Sequence, residues 1–156
     1  MISEFVHLHN HSDYSLLDGA QRIDQLINTI SDINMDSVAL TEHGNMFSVL
    51  PYYKEAKKAG IKPIIGCEIY VAIGSRFEKK VLPGGGWGNN HLILLAQNYT
   101  GYKNLMKLVT AGYLEGFYYR PRVDIDLLRK YNEGLVCMSG CLKGEIPEKM
   151  LKGDYN

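Results

Sequence analysis

Short apolar runs rich in β-branched residues alternate with stretches of helical spacing along almost the whole chain, and this alternation constrains the fold more than any other feature. Phe5–Asn10, Ser37–Leu40, Pro63–Ile65, Ile69–Ala72, Leu92–Ala96 and Leu135–Met138 read as strands. Between them, Ile23, Leu26, Ile27, Ile30 and Ile33 recur at i, i+3, i+4, i+7 and i+10, which is one face of a helix. Further helices are expected around Leu50–Ala59, closed by Gly60, near Tyr102–Leu114 and over Ile146–Lys152. Strands interleaved with helices predict an α/β fold with a largely parallel sheet and helices outside it.

Two stretches break the rhythm. Ser75–Asn90 (SRFEKKVLPGGGWGNN) is glycine-rich and reads as a long loop, and Gly116–Asp126 (GFYYRPRVDID) is aromatic and basic without clear periodicity. A closed (β/α) barrel takes about 250 residues, and this chain has 156. Five or six strands in that length imply an open sheet or an incomplete barrel. The tail LKGDYN gives no clean finish, so the chain reads as part of something longer.

Seventeen basic residues balance seventeen acidic ones. This lacks the basic footprint of a free-standing nucleic-acid binder, although a nucleic acid gripped locally is compatible with it. The start MISEFVHLHN has neither the basic nor the apolar region of a signal peptide, and no apolar run approaches the roughly 20 residues a membrane span needs. Three cysteines without a secretion signal fit free thiols in a reducing, cytoplasmic setting.

The chemistry concentrates in FVHLHNHSDYSLLDGA. In a strand, residues two apart point to one face, so His7, His9 and His11 are expected together, with Leu8 and Asn10 opposite. Imidazoles at that spacing can grip one ion or bridge a pair. Further ligand types stand where strands are expected to run out: Asp18 in YSLLDG, His43 in TEHG, Glu68 in GCE and Cys141 after LVCMSG. In α/β folds that edge is where sites assemble. His91 precedes its apolar run LILLA, so the strand-end rule puts it at the wrong end: either that strand begins before Leu92 or His91 is not a ligand. A mixed imidazole, carboxylate and thiolate set suits Zn²⁺, with Mn²⁺ or Fe²⁺ as alternatives.

Other mechanisms find less support. GGGWG is neither GxGxxG nor a phosphate-binding P-loop, and SGC resembles a nucleophile turn but has no dedicated base. Arg76, Lys79, Lys80, Arg120 and Arg122 form modest basic clusters. With Tyr118 and Tyr119 interleaved, the second of these clusters has the composition to hold a phosphate or stack a base.

Taken together, HLHNHSDYSLLDGA, ALTEHGNMF, GIKPIIGCEIYVA, NNHLILLAQNYTGYKNL, AGYLEGFYYRPRVD and SGCLKGEIP resemble the polymerase and histidinol phosphatase (PHP) domain, over essentially all of residues 4–151. The likeness is strongest to the N-terminal PHP domain carried by bacterial DNA polymerase III α subunits. It implies a distorted seven-stranded (β/α) barrel, of which residues 1–156 would be the N-terminal portion. The implied metal ligands are His9, His11, Asp18, His43, Glu68, His91 and Cys141, holding up to three ions in a complete domain. His7 is left in a supporting or buried structural position.

The resemblance implies metal-dependent phosphoester hydrolysis, in polymerase-linked members a 3′→5′ exonuclease proofreading reaction, in which His9, His11, Glu68 and His91 act through metal-activated water. The implied partners are the 3′ end of a DNA primer, the remainder of the polymerase α subunit and the replisome, with no membrane. A catalytically silent, metal-stabilised structural domain and a stand-alone phosphatase for small phosphomonoesters are the alternatives. Two departures stand out. The family's TDHG is TEHG here, with Glu42 beside His43, and its later Asp-x-His motif does not occur in these residues. The second departure leads to an expectation of weak or no activity from these residues alone.

Overall fold

The computed structural model describes residues 5–16, 18–81 and 88–155. Among the described residues, five helices and five strands make up the regular structure: α1 (Ile23–Asp32), β1 (Ser37–Leu40), α2 (Val49–Lys58), β2 (Lys62–Ala72), β3 (Asn89–Ala96), α3 (Tyr99–Leu114), β4 (Arg122–Val123), α4 (Ile125–Lys130), β5 (Leu135–Met138) and α5 (Glu145–Leu151).

The helical periodicity is realised directly. In α1, Ile23, Leu26, Ile27 and Ile30 are buried and pack against Val38, Leu40, Tyr52 and Ala56. Each such side chain contributes on the order of 2 kcal/mol when removed from water. Ile33, the fifth apolar position of the pattern, lies past the helix end and is exposed. Gly60 closes α2 with φ of 75°, as its place after the helix requires. Helix α4 was not expected. Its signal is Asp124, whose carboxylate accepts a hydrogen bond from the Leu127 N–H and starts the helix inside a segment that periodicity alone leaves undefined.

The sheet is mixed, not largely parallel. Its order is β1-β2-β3-β5, with β1 parallel to β2 but β3 antiparallel to both β2 and β5. Pro63–Ile65 and Ile69–Ala72 belong to one 11-residue strand, β2, which pairs first with β1 and then with β3. Strand β4 joins the edge of β2 that β1 occupies earlier. Among the described residues no helix lies in the stretch between β2 and β3, and the chain returns alongside β2 as an antiparallel partner. Residues 82–87, the glycine-rich centre of that stretch, lie outside the described residues.

Phe5–Asn10 is not a regular strand. It runs beside β1, and the Ala39 and Thr41 N–H groups donate to the carbonyls of His7 and Asn10. Donors two residues apart therefore meet acceptors three apart, so one extra residue interrupts the ladder. The Asn10 N–H donates to Thr41 Oγ1.

Strand alternation separates the two faces of β2 and β3. Cys67, Ile69, Val71 and Leu94 pack with Leu105 and Leu108 of α3 and Leu127 of α4. Glu68 and Tyr70 point the other way, paired across the ladder with Ile93 and His91.

Candidate metal centre

Glu68 is the hub of that second face. Its side chain is 1% exposed, and its two oxygens address different pairs of imidazoles. Oε2 lies 2.6 Å from His9 Nε2 and 3.4 Å from His11 Nε2. Oε1 lies 2.9 Å from His43 Nδ1 and 2.5 Å from His91 Nδ1. The four histidines arrive from three directions. His9 and His11 come from the irregular segment beside β1, His43 from the turn after β1, and His91 from the start of β3.

The interrupted ladder also sorts the first three histidines. His9 and His11 converge, with their Nε2 atoms 3.0 Å apart. His7 is exposed and sets its ring edge-on to Phe5 at 4.8 Å. The expectation of three equivalent histidines on one face therefore fails, as does a buried role for His7, because the extra residue spoils strict alternation. His91 stands at the site because β3 runs antiparallel to β2, which brings its first residues beside Tyr70. Glu68 itself lies inside β2, not at its end. His43 forms an isolated bridge with Glu68 that carries the β1–β2 register three residues further.

Asp18 and Cys141 meet the hub through histidines. Asp18 Oδ2 is 2.9 Å from His43 Nε2, and Cys141 Sγ is 3.6 Å from His91 Nδ1. Gly19 holds the turn that carries Asp18, since a Cβ there would stand 1.7 Å from the Ser12 carbonyl oxygen. His11 and His43 stack at 3.9 Å with 14° between their planes.

Sequence reasoning missed Tyr70, whose ring packs against His43 at 6.4 Å and His91 at 5.1 Å. Its signal was its position two residues after Glu68 on the same strand. Glu42, which sequence reasoning marked only as a departure, is buried and turned away from the hub. It accepts from the Ser12 N–H and from the Ser12 and Ser15 hydroxyls, while the His43 N–H donates to Ser15 Oγ at 3.1 Å.

The electrostatics are those of four imidazoles crowded onto one buried carboxylate. Burial alone would raise the Glu68 carboxyl, but contacts with His11, His43, His9 and His91 outweigh it and hold the group far below the usual carboxylate range. His43 is raised by its contact with Glu68, against the opposing effect of burial and with help from Asp18. Even so, His11 Nδ1, His43 Nδ1 and Glu68 Oε1 are buried without a hydrogen-bond partner among the described residues. Oε1 is near two imidazole nitrogens but not aligned with either. Buried polar atoms left unpaired cost about 1–3 kcal/mol each, and a cation shared among them removes that cost. The ligand-capable atoms of His9, His11 and Glu68 all lie within 4.8 Å of one another. The donor set therefore fits a divalent ion.

The PHP domain family matches residues 7–156 of the chain. The chain belongs to that family. Among curated relatives of this PHP domain, the DNA polymerase III subunit alpha of Borreliella burgdorferi is 58% identical over 98% of the chain, and that of Treponema pallidum 51% over 96%. The Thermus aquaticus subunit is 46% identical over 96%. The PHP domain chain spans only 12–13% of the length of these relatives. A solved amidohydrolase from Chromobacterium violaceum aligns with 68% of the chain and 32% of its own, at 21% identity and a TM-score of 0.47, too remote to bear on function. Among the described residues, no helix is long and apolar enough to cross a membrane.

Proposed function

We propose that this PHP domain holds divalent metal ions on the Glu68 hub and hydrolyses phosphodiester bonds, acting as a 3′→5′ exonuclease on DNA alongside a bacterial replicative polymerase in the cytoplasm. The observation that carries the reading is one buried carboxylate whose two oxygens each face a pair of imidazoles.

In this reading His9, His11, His43, His91 and Glu68 would hold the ions. Asp18 and Cys141 complete the set from the outer edges, through the turn at Gly19 and the segment after β5. Zinc suits the mixed donors, with manganese or iron as alternatives. Bound ions supply a water acidified toward neutrality and positive charge for the attacking and leaving oxygens.

The protein's own contribution is placement and access. Tyr70 walls one side of His43 and His91, and Glu42 fixes the Ser12–Ser15 turn that brings Asp18 to His43. An open cleft of about 680 Å³, lined by Asp18, His43 and His91 among others, leads to the cluster. Its size admits a terminal nucleotide.

The relatives' identity as DNA polymerase III α subunits supports a DNA substrate, with the remainder of an α subunit and the replisome as partners. The test has two parts. Purified without chelator, the chain is expected to retain zinc or manganese by elemental analysis. Joined to the remainder of a polymerase III α subunit, it is expected to release nucleotides from a 3′-mispaired primer, with the release lost in His9→Ala and His43→Ala. Cleavage that survives both substitutions overturns the exonuclease reading. Metal uptake without any cleavage favours a structural role, and hydrolysis of small phosphomonoesters but not DNA favours a phosphatase.

A further inference from the structure

The turn at 117–121 stands at the rim of the cleft and contains one of two described non-glycine residues with positive φ. That residue is Tyr119, at φ 57°. A bulky residue in this region is a steric outlier, and such strain persists only where the surroundings impose it. Here they do. The Tyr118 N–H donates to the Arg120 carbonyl at 3.1 Å. Buried Arg122 donates to the carbonyls of Gly116, Arg76 and Glu78 at 3.1, 3.2 and 2.9 Å, which clamps the turn to the loop after β2. The Tyr119 ring is 62% exposed and sets itself edge-on to Tyr118, with centroids 4.8 Å apart.

Its neighbour points inward. Arg120 Nη1 donates to the Tyr70 hydroxyl at 2.5 Å, and the guanidinium lies 4.8 Å from the Tyr70 ring centroid. Tyr70 in turn contacts His91 of the hub. Tyr119, Arg120, Tyr70 and His91 thus form a continuous path from the rim to the cluster. Lys143 adds a second positive side chain to the cleft wall. An exposed aromatic ring beside a cation is the pairing that binds single strands, the ring stacking on a base and the cation facing the backbone. The two arginines of the RPR motif therefore divide their work: Arg122 is structural, and Arg120 faces the cleft.

We infer that the 117–121 turn is the nucleotide-reading element of this domain, with Tyr119 stacking on a base and Arg120 facing the adjacent phosphate of a single strand that enters the cleft. The inference rests on the hydrolytic reading for why a strand end comes there, but the binding it describes needs no metal.

The test is fluorescence anisotropy of the chain with a 5′-labelled oligothymidylate of roughly 10 nucleotides, a length within the range such sites cover, in the presence of chelator. The wild-type chain is expected to bind. Tyr119→Ala is expected to bind about tenfold more weakly, as for a lost stacking partner, while Tyr119→Phe matches wild type. Arg120→Met is expected to weaken binding and to flatten its salt dependence by about one phosphate contact. Tyr119→Gly separates function from folding: the strain is relieved, so the melting temperature stays level or rises while binding falls as in Tyr119→Ala.

Failure of the wild-type chain to bind overturns the inference, as does wild-type binding by Tyr119→Ala. Metal uptake measured on the same protein preparations before chelator is added keeps the two readings apart. Unchanged binding in a metal-loading Tyr119→Ala protein overturns this inference alone. Tyr119-dependent binding in a chain that takes up no metal overturns the hydrolytic reading alone.

Discussion

Tyr70 and His91 face each other across the antiparallel β2–β3 ladder, and this pairing delivers an imidazole from the start of one strand to a carboxylate inside another. It makes Glu68 the convergence point of three chain segments that are otherwise far apart in sequence. Glu68→Gln keeps the volume of the hub and removes its charge. The substitution is expected to lower zinc or manganese affinity by more than the roughly 10–100-fold that outer partners of a metal site command. Calorimetric titration of the metal checks it, and an unchanged far-ultraviolet dichroism spectrum shows that the fold is kept. Wild-type affinity in Glu68→Gln removes the hub from the site.

Glu42 makes a different kind of contribution, through the turn that carries Asp18. Its buried carboxylate is the acceptor for two serine hydroxyls and one backbone N–H. Glu42→Ala strands those donors and is expected to cost about 3 kcal/mol, from roughly 1–3 kcal/mol for each buried group left unpaired. Glu42→Asp, one methylene shorter, reaches only part of the set and is expected to cost about 1 kcal/mol, one net hydrogen bond. Urea denaturation of both variants measures the difference. Equal losses would mean that chain length at this position is immaterial.

These two positions also show what the sequence made legible. The helical face of α1, the extents of β1 and β5 and the meeting of His9, His11, His43, Glu68 and His91 follow from periodicity, residue type and the resemblance to known motifs. Antiparallel pairing of β3 is harder to see, because a strand's direction is set by the path of its connection, and a glycine-rich stretch without periodicity does not fix that path. The displacement of His7 was invisible, since a single extra residue in a ladder leaves no mark on composition or spacing. Glu42 was noticed as a longer acid, but only the fold reveals that its reach is spent on Ser12 and Ser15.

The Arg76–Asp124 pair predicts a pH dependence away from the hub. Burial would raise the Asp124 carboxyl, but N–H groups of Arg76 and Leu127 and the Arg76 guanidinium, 3.0–3.1 Å away, lower it below the usual range. A carboxyl depressed in the folded state contributes stability above its unfolded value, near about 3.9, and loses it as the pH falls through the native value. Asp124→Asn can still cap α4, so it isolates the charge. The variant is expected to be less stable by about 2 kcal/mol at neutral pH, as for hydrogen bonds to a charged group. The gap should narrow once the pH drops below about 3.9 and close below the native value. A gap that is independent of pH in denaturation curves would assign the loss to packing.

The three free cysteines offer a test of the outer edge of the site that does not depend on catalysis. Cys67 is buried against α3, and its thiol is pushed up by burial and by the nearby Glu68 and Glu42 charges. Cys137 and Cys141 are exposed, but only Cys141 stands beside His91. Iodoacetamide reacts with the thiolate of accessible cysteines, so it is expected to label Cys137 and Cys141 and to spare Cys67 in the native protein. If Cys141 completes the metal set, zinc at saturating concentration slows its labelling by about tenfold or more, because a coordinated thiolate is withdrawn from reaction. Cys137, four residues earlier on β5, then serves as the internal control and keeps its rate. Labelling resolved by peptide mass spectrometry reads all three sites in one experiment. Equal rates at Cys141 with and without zinc would leave the metal to the histidines, Asp18 and Glu68 and remove the thiolate from the set.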